Sequence, residues 1–210
     1  SGEIILPDRL LMLFAKDIVS RNPGCDVIYD VKSTRRLNAL ISGYGGKPVM
    51  CKSGHSHIKA KMQETGALLG GELSGHIFFK ERWLGFDDGL YAAARLLEIM
   101  TIRDQSLEQI MISFPATAST PEIKVPIAED KKFSFIQQLI ANGDFGEGKI
   151  ITMDGLRAEY TNGWGLVRAS NTSAALTLRF EADDDFALAE IMNIFREQIS
   201  RIDSGLKLHF

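Results

Sequence analysis

A change of pattern near the middle of the chain most constrains what it can fold into. Up to about residue 115, short β-rich runs alternate with helical ones. Between residues 149 and 180, four strand-length runs follow one another with no helical segment between them. Parallel neighbours need a crossover, usually a helix, whereas antiparallel neighbours need only a turn. The first pattern therefore points to a layered α/β unit and the second to an antiparallel sheet. A chain of 210 residues has room for both.

In the first half, apolar residues at Leu10, Leu11, Leu13, Phe14 and Ile18 predict an amphipathic helix opened by Pro7-Asp8-Arg9 and stopped by Asn22-Pro23-Gly24. A strand is expected over Asp26–Asp30, a short helix over Arg35–Ile41 and a strand over Lys47–Met50. A helix follows over Gly54–Thr65, and a third strand begins at Ala67–Leu69 and breaks at Gly70-Gly71. Ile77–Phe79 and a helix over Asp88–Met100 complete the unit. The stretch 115–121, bounded by Pro115 and Pro121, reads as a linker. The expected domains are 1–115, an α/β/α layer, and 116–210, a small α+β domain. In the latter, Ile123–Pro126 is strand-like, and Asp130–Asn142 is helical with Phe133, Ile136 and Ile140 on one face. Asp154-Gly155 marks a hairpin, and Asp183–Ile202 is a closing helix.

Composition excludes several function classes. The net charge of −3 gives no general attraction to nucleic acid or anionic lipid, so any anion must be held by a local site. Two cysteines, Cys25 and Cys51, cannot form a disulfide framework or a CxxC zinc motif, and a reduced cytoplasmic setting is expected. No apolar run reaches the roughly 20 residues of a membrane span. Ser1-Gly2-Glu3 carries neither an initiator Met nor a signal sequence, and reads as the start of an excised or processed piece.

Three segments carry candidate chemistry. Arg168-Ala169-Ser170-Asn171-Thr172-Ser173 lies between two strands. A guanidinium fork beside hydroxyls and an amide matches phosphate oxygens, but a solvated polar hairpin would look the same. In Gly71-Glu72-Leu73-Ser74-Gly75-His76, the alternation of Glu72, Ser74 and His76 would put an acceptor, a hydroxyl and an imidazole on one side of an extended chain. That suits a polyhydroxylated ligand, or equally a structural carboxylate–histidine pair. Ser53-Gly54-His55-Ser56-His57 opens a helix, where backbone N–H groups favour anions; the plainer reading makes Ser53 an N-cap and the histidines solvent-facing. His55, His57 and His76 lack the carboxylate or Cys partners of a zinc set. Gly43–Gly46 reads as a turn, Asp88 as a helix cap, and Trp83 and Trp164 as packing residues. Lys32, after a strand, could meet an anion.

Gly71–His76 resembles the sugar-binding loop of the α-D-phosphohexomutases, and Gly163-Trp164-Gly165-Leu166-Val167-Arg168-Ala169-Ser170-Asn171-Thr172 resembles their phosphate-binding loop. Pro7–Leu11, Ser53–Ser56 and Phe86-Asp87-Asp88-Gly89 are similar to the bacterial phosphomannomutase/phosphoglucomutase branch. The likeness runs along the whole chain. It implies the third and fourth of four domains around a cleft: an α/β/α domain, then a TATA-binding-protein-like α+β domain. It further implies that Glu72 and Ser74 hold sugar hydroxyls, with His76 shaping that loop. His55 and Lys32 would face the cleft, and Arg168, Ser170, Asn171 and Thr172 would bind phosphate.

The family's phosphoserine loop, Thr-Ala-Ser-His-Asn-Pro, and its magnesium loop, Asp-Gly-Asp-Gly-Asp-Arg, do not occur in the chain. The resemblance thus implies Mg²⁺ in the intact enzyme at a site outside these residues, no metal and no catalytic residue within them, and no turnover by the chain alone. The expected partners are phosphorylated hexoses and the N-terminal domains of the same enzyme, with no nucleic acid and no membrane. A stand-alone sugar-phosphate-binding module is the alternative, and an RNA-binding sheet is disfavoured by the acidic balance.

Overall fold

A computed structural model describes Gly2 and residues 4–210. Ser1 and Glu3, part of the N-terminal stretch read above, lie outside the described residues. The chain forms two compact units, Ser1–Pro115 and Ala116–Phe210.

The first unit runs α1 (Pro7–Arg21), β1 (Asp26–Asp30), α2 (Arg36–Gly43), β2 (Lys47–Cys51), α3 (His55–Thr65), β3 (Leu69–Gly71), β4 (Ile77–Phe79), α4 (Gly89–Arg103) and α5 (Leu107–Ile112). The sheet order is β2-β1-β3-β4; β1 is parallel to β2 and β3, and β4 returns antiparallel to β3. Period-2 alternation divides the strands between two cores. Val27, Tyr29, Leu69 and Phe79 join α1 and α4 on one face, while Ile28 and Phe78 join Ile58 and Met62 of α3 on the other.

The sequence reading broke the third strand at Gly70-Gly71, but β3 runs through both glycines. A Cβ on Gly70 would lie 2.5 Å from Met62 Sδ, and one on Gly71 would lie 2.7 Å from Leu11. Both glycines are therefore strand residues, and their missing side chains let α3 and α1 close on the sheet. Helix α5 was not foreseen, although its signal was present: Ser106 Oγ accepts from Gln109 N while Gln109 Oε1 accepts from Ser106 N, a complete capping box. Ser106→Ala is expected to cost about 1 kcal/mol, measured by urea unfolding.

The second unit comprises β5 (Ala118–Ser119), β6 (Ile123–Pro126), α6 (Lys132–Asn142), β7 (Lys149–Ile151), β8 (Leu156–Tyr160), β9 (Gly163–Ala169), β10 (Ala175–Ala182) and α7 (Asp185–Ile202). Its sheet is antiparallel throughout, in the order β5-β10-β9-β8-β7, with β6 also paired to β10. The expected linker is partly absorbed, because Ala118 and Ser119 pair with Ala182 and Glu181. Leu156, Val167, Leu178 and Phe180 meet Leu139 of α6 and Phe195 of α7 in the core.

The buried stripe of α6 differs from the expected one. Phe135, Ile136 and Leu139 face inward, whereas Phe133 is 56% exposed and Ile140 39% exposed. Two apolar stripes at i, i+3, i+4 spacing overlap at Ile136 and cannot be told apart by periodicity. Packing selects the one that carries Leu139.

Candidate functional site

In the first unit, the predicted residues sit where the three parallel strands end. Lys32 follows β1, Ser53 and His55 follow β2, and Glu72 follows β3. The carboxyl ends of parallel strands are where open α/β sheets bind ligands. Asp30, the last residue of β1, fastens these loops together. Its fully buried carboxylate accepts from Ser33 Oγ (2.6 Å), Ser53 Oγ (3.0 Å) and Leu73 N (3.1 Å), with Lys32 Nζ at 3.9 Å. Burial pushes the Asp30 carboxyl above its ordinary value, while Lys32, the Ser33 hydroxyl and the Leu73 N–H pull it back. Ser53 therefore serves Asp30, and Gly54, not Ser53, is the N-cap of α3.

Residues 72–76 form a tight β3–β4 hairpin loop rather than an extended segment. Glu72 N donates to His76 O (3.0 Å), Gly75 N donates to Glu72 O (3.1 Å), and Gly75 has φ +97°. The turn gives the three side chains different surroundings. Glu72 is buried, accepting from Ser74 Oγ (3.0 Å) and from Gly54 N at the head of α3. Ser74 is exposed, and His76 is half-buried with Nδ1 2.6 Å from Asp87 Oδ2. The His55 and His76 rings lie 5.9 Å apart. Asp87 and Asp88, adjacent in sequence, divide their duties. Asp88 caps α4 by accepting from Tyr91 N (2.9 Å), and Asp87 holds His76.

In the second unit, Arg168 lies near the end of β9, and Ser170, Asn171 and Thr172 form the turn into β10. Arg168 Nε donates to Asp154 Oδ2 at 3.0 Å, and its buried Nη2 has no hydrogen-bond partner among the described residues. Ser170 Oγ accepts from Thr172 N (3.3 Å) and from Ser173 Oγ (2.9 Å), which curls the loop; Asn171 and Thr172 are exposed at its tip. Lys132, which the sequence reading did not single out, reaches from α6 to donate to Ser173 O at 3.3 Å. Trp164 is buried under the Arg157 guanidinium, 3.7 Å from its ring centroid, and donates to Glu181 Oε1 (3.2 Å). Among the described residues, no group of three or more His, Cys, Asp or Glu is arranged to hold a metal ion.

Residues 6–117 match the family described as phosphoglucomutase/phosphomannomutase, alpha/beta/alpha domain III, and residues 122–198 match its C-terminal domain. The chain belongs to the phosphoglucomutase/phosphomannomutase family. A phosphomannomutase/phosphoglucomutase of Pseudomonas aeruginosa is 60% identical over all 210 residues, which cover 45% of that protein. A phosphoglucomutase of Neisseria gonorrhoeae is 53% identical over 200 residues, 94% of this chain and 43% of that protein. A crystal structure of a phosphoglucomutase/phosphomannomutase family protein from Burkholderia thailandensis matches with a TM-score of 0.93 and 48% identity, covering 100% of this chain and 44% of that one. The chain thus spans under half the length of the phosphoglucomutase/phosphomannomutase relatives it matches. Glu72–His76 falls in the domain III match and Arg168–Thr172 in the C-terminal-domain match. No helix among the described residues is long and apolar enough to cross a membrane.

Proposed function

We propose that this chain holds the substrate of a phosphohexomutase that interconverts 1-phospho and 6-phospho mannose or glucose. One observation carries the reading: the buried Arg168 guanidinium keeps Nη2 without a hydrogen-bond partner among the described residues, beside a hydroxyl-rich turn. A buried, unsatisfied cationic donor is costly, and a phosphate oxygen is the acceptor that satisfies it best.

Arg168 donates to phosphate oxygens, and Ser170, Asn171 and Thr172 add hydroxyl and amide donors. Glu72 and Ser74 meet the sugar hydroxyls, with Glu72 accepting from them. Lys32, His55 and His76 are the further polar groups that the first unit offers to the sugar. Such groups read hydroxyl and phosphate without reading one sugar edge closely, which suits an enzyme whose ligand must be accepted either way round.

The phosphoryl-carrying serine and the Mg²⁺ site belong to sequence outside these 210 residues, as do the domains that would be this chain's partners. The setting is cytoplasmic. The test is calorimetric titration of the chain with glucose 1-phosphate, glucose 6-phosphate and their mannose counterparts, each followed by an assay for isomer conversion with Mg²⁺. Binding without conversion is the expected result. Conversion by the chain alone, or no binding of any hexose phosphate, overturns the proposal.

A further inference from the structure

We infer that Asp154 is the positioning residue of the phosphate site, holding the Arg168 guanidinium by its Nε so that Nη2 is presented to phosphate. The inference rests on the reading of Arg168 given above. Asp154 belongs to the turn between β7 and β8, and Arg168 to β9, fourteen residues further along the chain.

Backbone packing brings them together. Gly155 has φ +84°, and a Cβ there would lie 2.3 Å from Val167 O and 2.6 Å from Arg168 Cβ. The Asp154-Gly155 turn is therefore pressed onto the strand that carries Arg168, and only glycine fits. Leu156 then pairs with Val167, which fixes the register that puts the Asp154 carboxylate at Nε.

The chemistry assigns the carboxylate its role. A negative charge beside a phosphate site repels the ligand, so Asp154 does not serve attraction. A guanidinium on a long flexible stem can turn, however, and a bidentate contact needs one orientation. Asp154 takes Nε and leaves Nη2 for the ligand. The side chains of Arg168 and Asp154 are 7% and 17% exposed, so solvent competes little for the bond.

The test is a double-mutant cycle read by binding of glucose 6-phosphate. Asp154→Ala should weaken binding about tenfold, whereas Asp154→Asn, whose amide oxygen still accepts from Nε, should bind within about twofold of the unsubstituted chain. Against Arg168→Ala, the further change Asp154→Ala should cause no further loss, because its action runs through Arg168. Unchanged affinity in Asp154→Ala, or an equal loss with and without Arg168, overturns the positioning role while leaving the phosphate site standing. An unsubstituted chain that fails to bind glucose 6-phosphate overturns the functional reading, and this inference with it.

Discussion

Replacing Arg168 by lysine is expected to weaken binding of 1-phospho and 6-phospho hexoses by comparable factors, about tenfold, and replacing it by alanine about a hundredfold. The phosphate that is not being transferred is largely dianionic near neutral pH. The chain's net charge of −3 repels it, so a fixed local counter-charge must hold it. Arg168 combines burial, an orientation held through Asp154 and an Nη2 with no hydrogen-bond partner among the described residues. Lysine keeps the charge but presents a single rotating ammonium, losing the planar fork and the Nε bond together. Alanine removes the charge as well, and leaves Asp154 facing the phosphate. Because phosphate is the feature common to both isomers, both should suffer alike. Calorimetry with each isomer measures the loss, and Trp164 fluorescence checks that the second unit stays folded. Retained affinity, or loss for one isomer only, would show that Arg168 is not the shared contact.

The sequence displayed the elements whose pattern is long and unambiguous. The apolar stripe of α1, the short β-rich runs of β1 and β2, and the uninterrupted strands of the second half are all local signals. It hid elements whose existence depends on packing. The two-residue β5 has no periodicity to read, and the glycines of β3 look like a break until α1 and α3 are seen pressing on them. The inward face of α6 was ambiguous because both candidate stripes are apolar. At the candidate site, the residues with motif-like neighbours, Glu72 and Arg168, could be named from the chain alone. The carboxylates that position them and their neighbours could not. Asp30 meets Leu73 across 43 residues, Asp154 meets Arg168 across 14, and Asp87 meets His76 across 11. Each pairing is made by strand register or loop closure, so even where the Asp stands in a visible motif, as Asp87 and Asp154 do, its distant partner is not legible. The one available signal for Asp30 was its place at the carboxyl end of a parallel strand.

Asp30→Ala is expected to destabilise the first unit by about 3 kcal/mol and to weaken sugar binding while sparing phosphate binding by the second unit. The carboxylate receives three hydrogen bonds, and removing it leaves Leu73 N inside the protein without its acceptor. Hydrogen bonds to a charged group contribute about 1.5–3 kcal/mol each, but their sum overstates the loss, because alanine also relieves the cost of burying the charge. The same burial sets the pH dependence. Burial raises the carboxyl pKa of Asp30 in the folded chain above its unfolded value. Its contribution is therefore complete below the unfolded pKa, about 4, and is lost as pH rises through the folded one. The Asp30→Ala penalty should accordingly be smaller at about pH 8 than at about pH 5. Trp83 lies in the first unit and Trp164 in the second, so the two tryptophans report on different units. Urea unfolding of a Trp83→Phe background, which leaves Trp164 as reporter, should show the second unit unmoved by Asp30→Ala. The functional consequence follows from Leu73 and Ser53: without Asp30, the Glu72–His76 hairpin and the approach to α3 lose their common tie, and Glu72 is no longer held where it can meet a sugar hydroxyl. Titration with glucose 6-phosphate should then show reduced affinity, while inorganic phosphate binds as before. Equal losses for both ligands would mean that Asp30 supports the fold without organising the sugar loop.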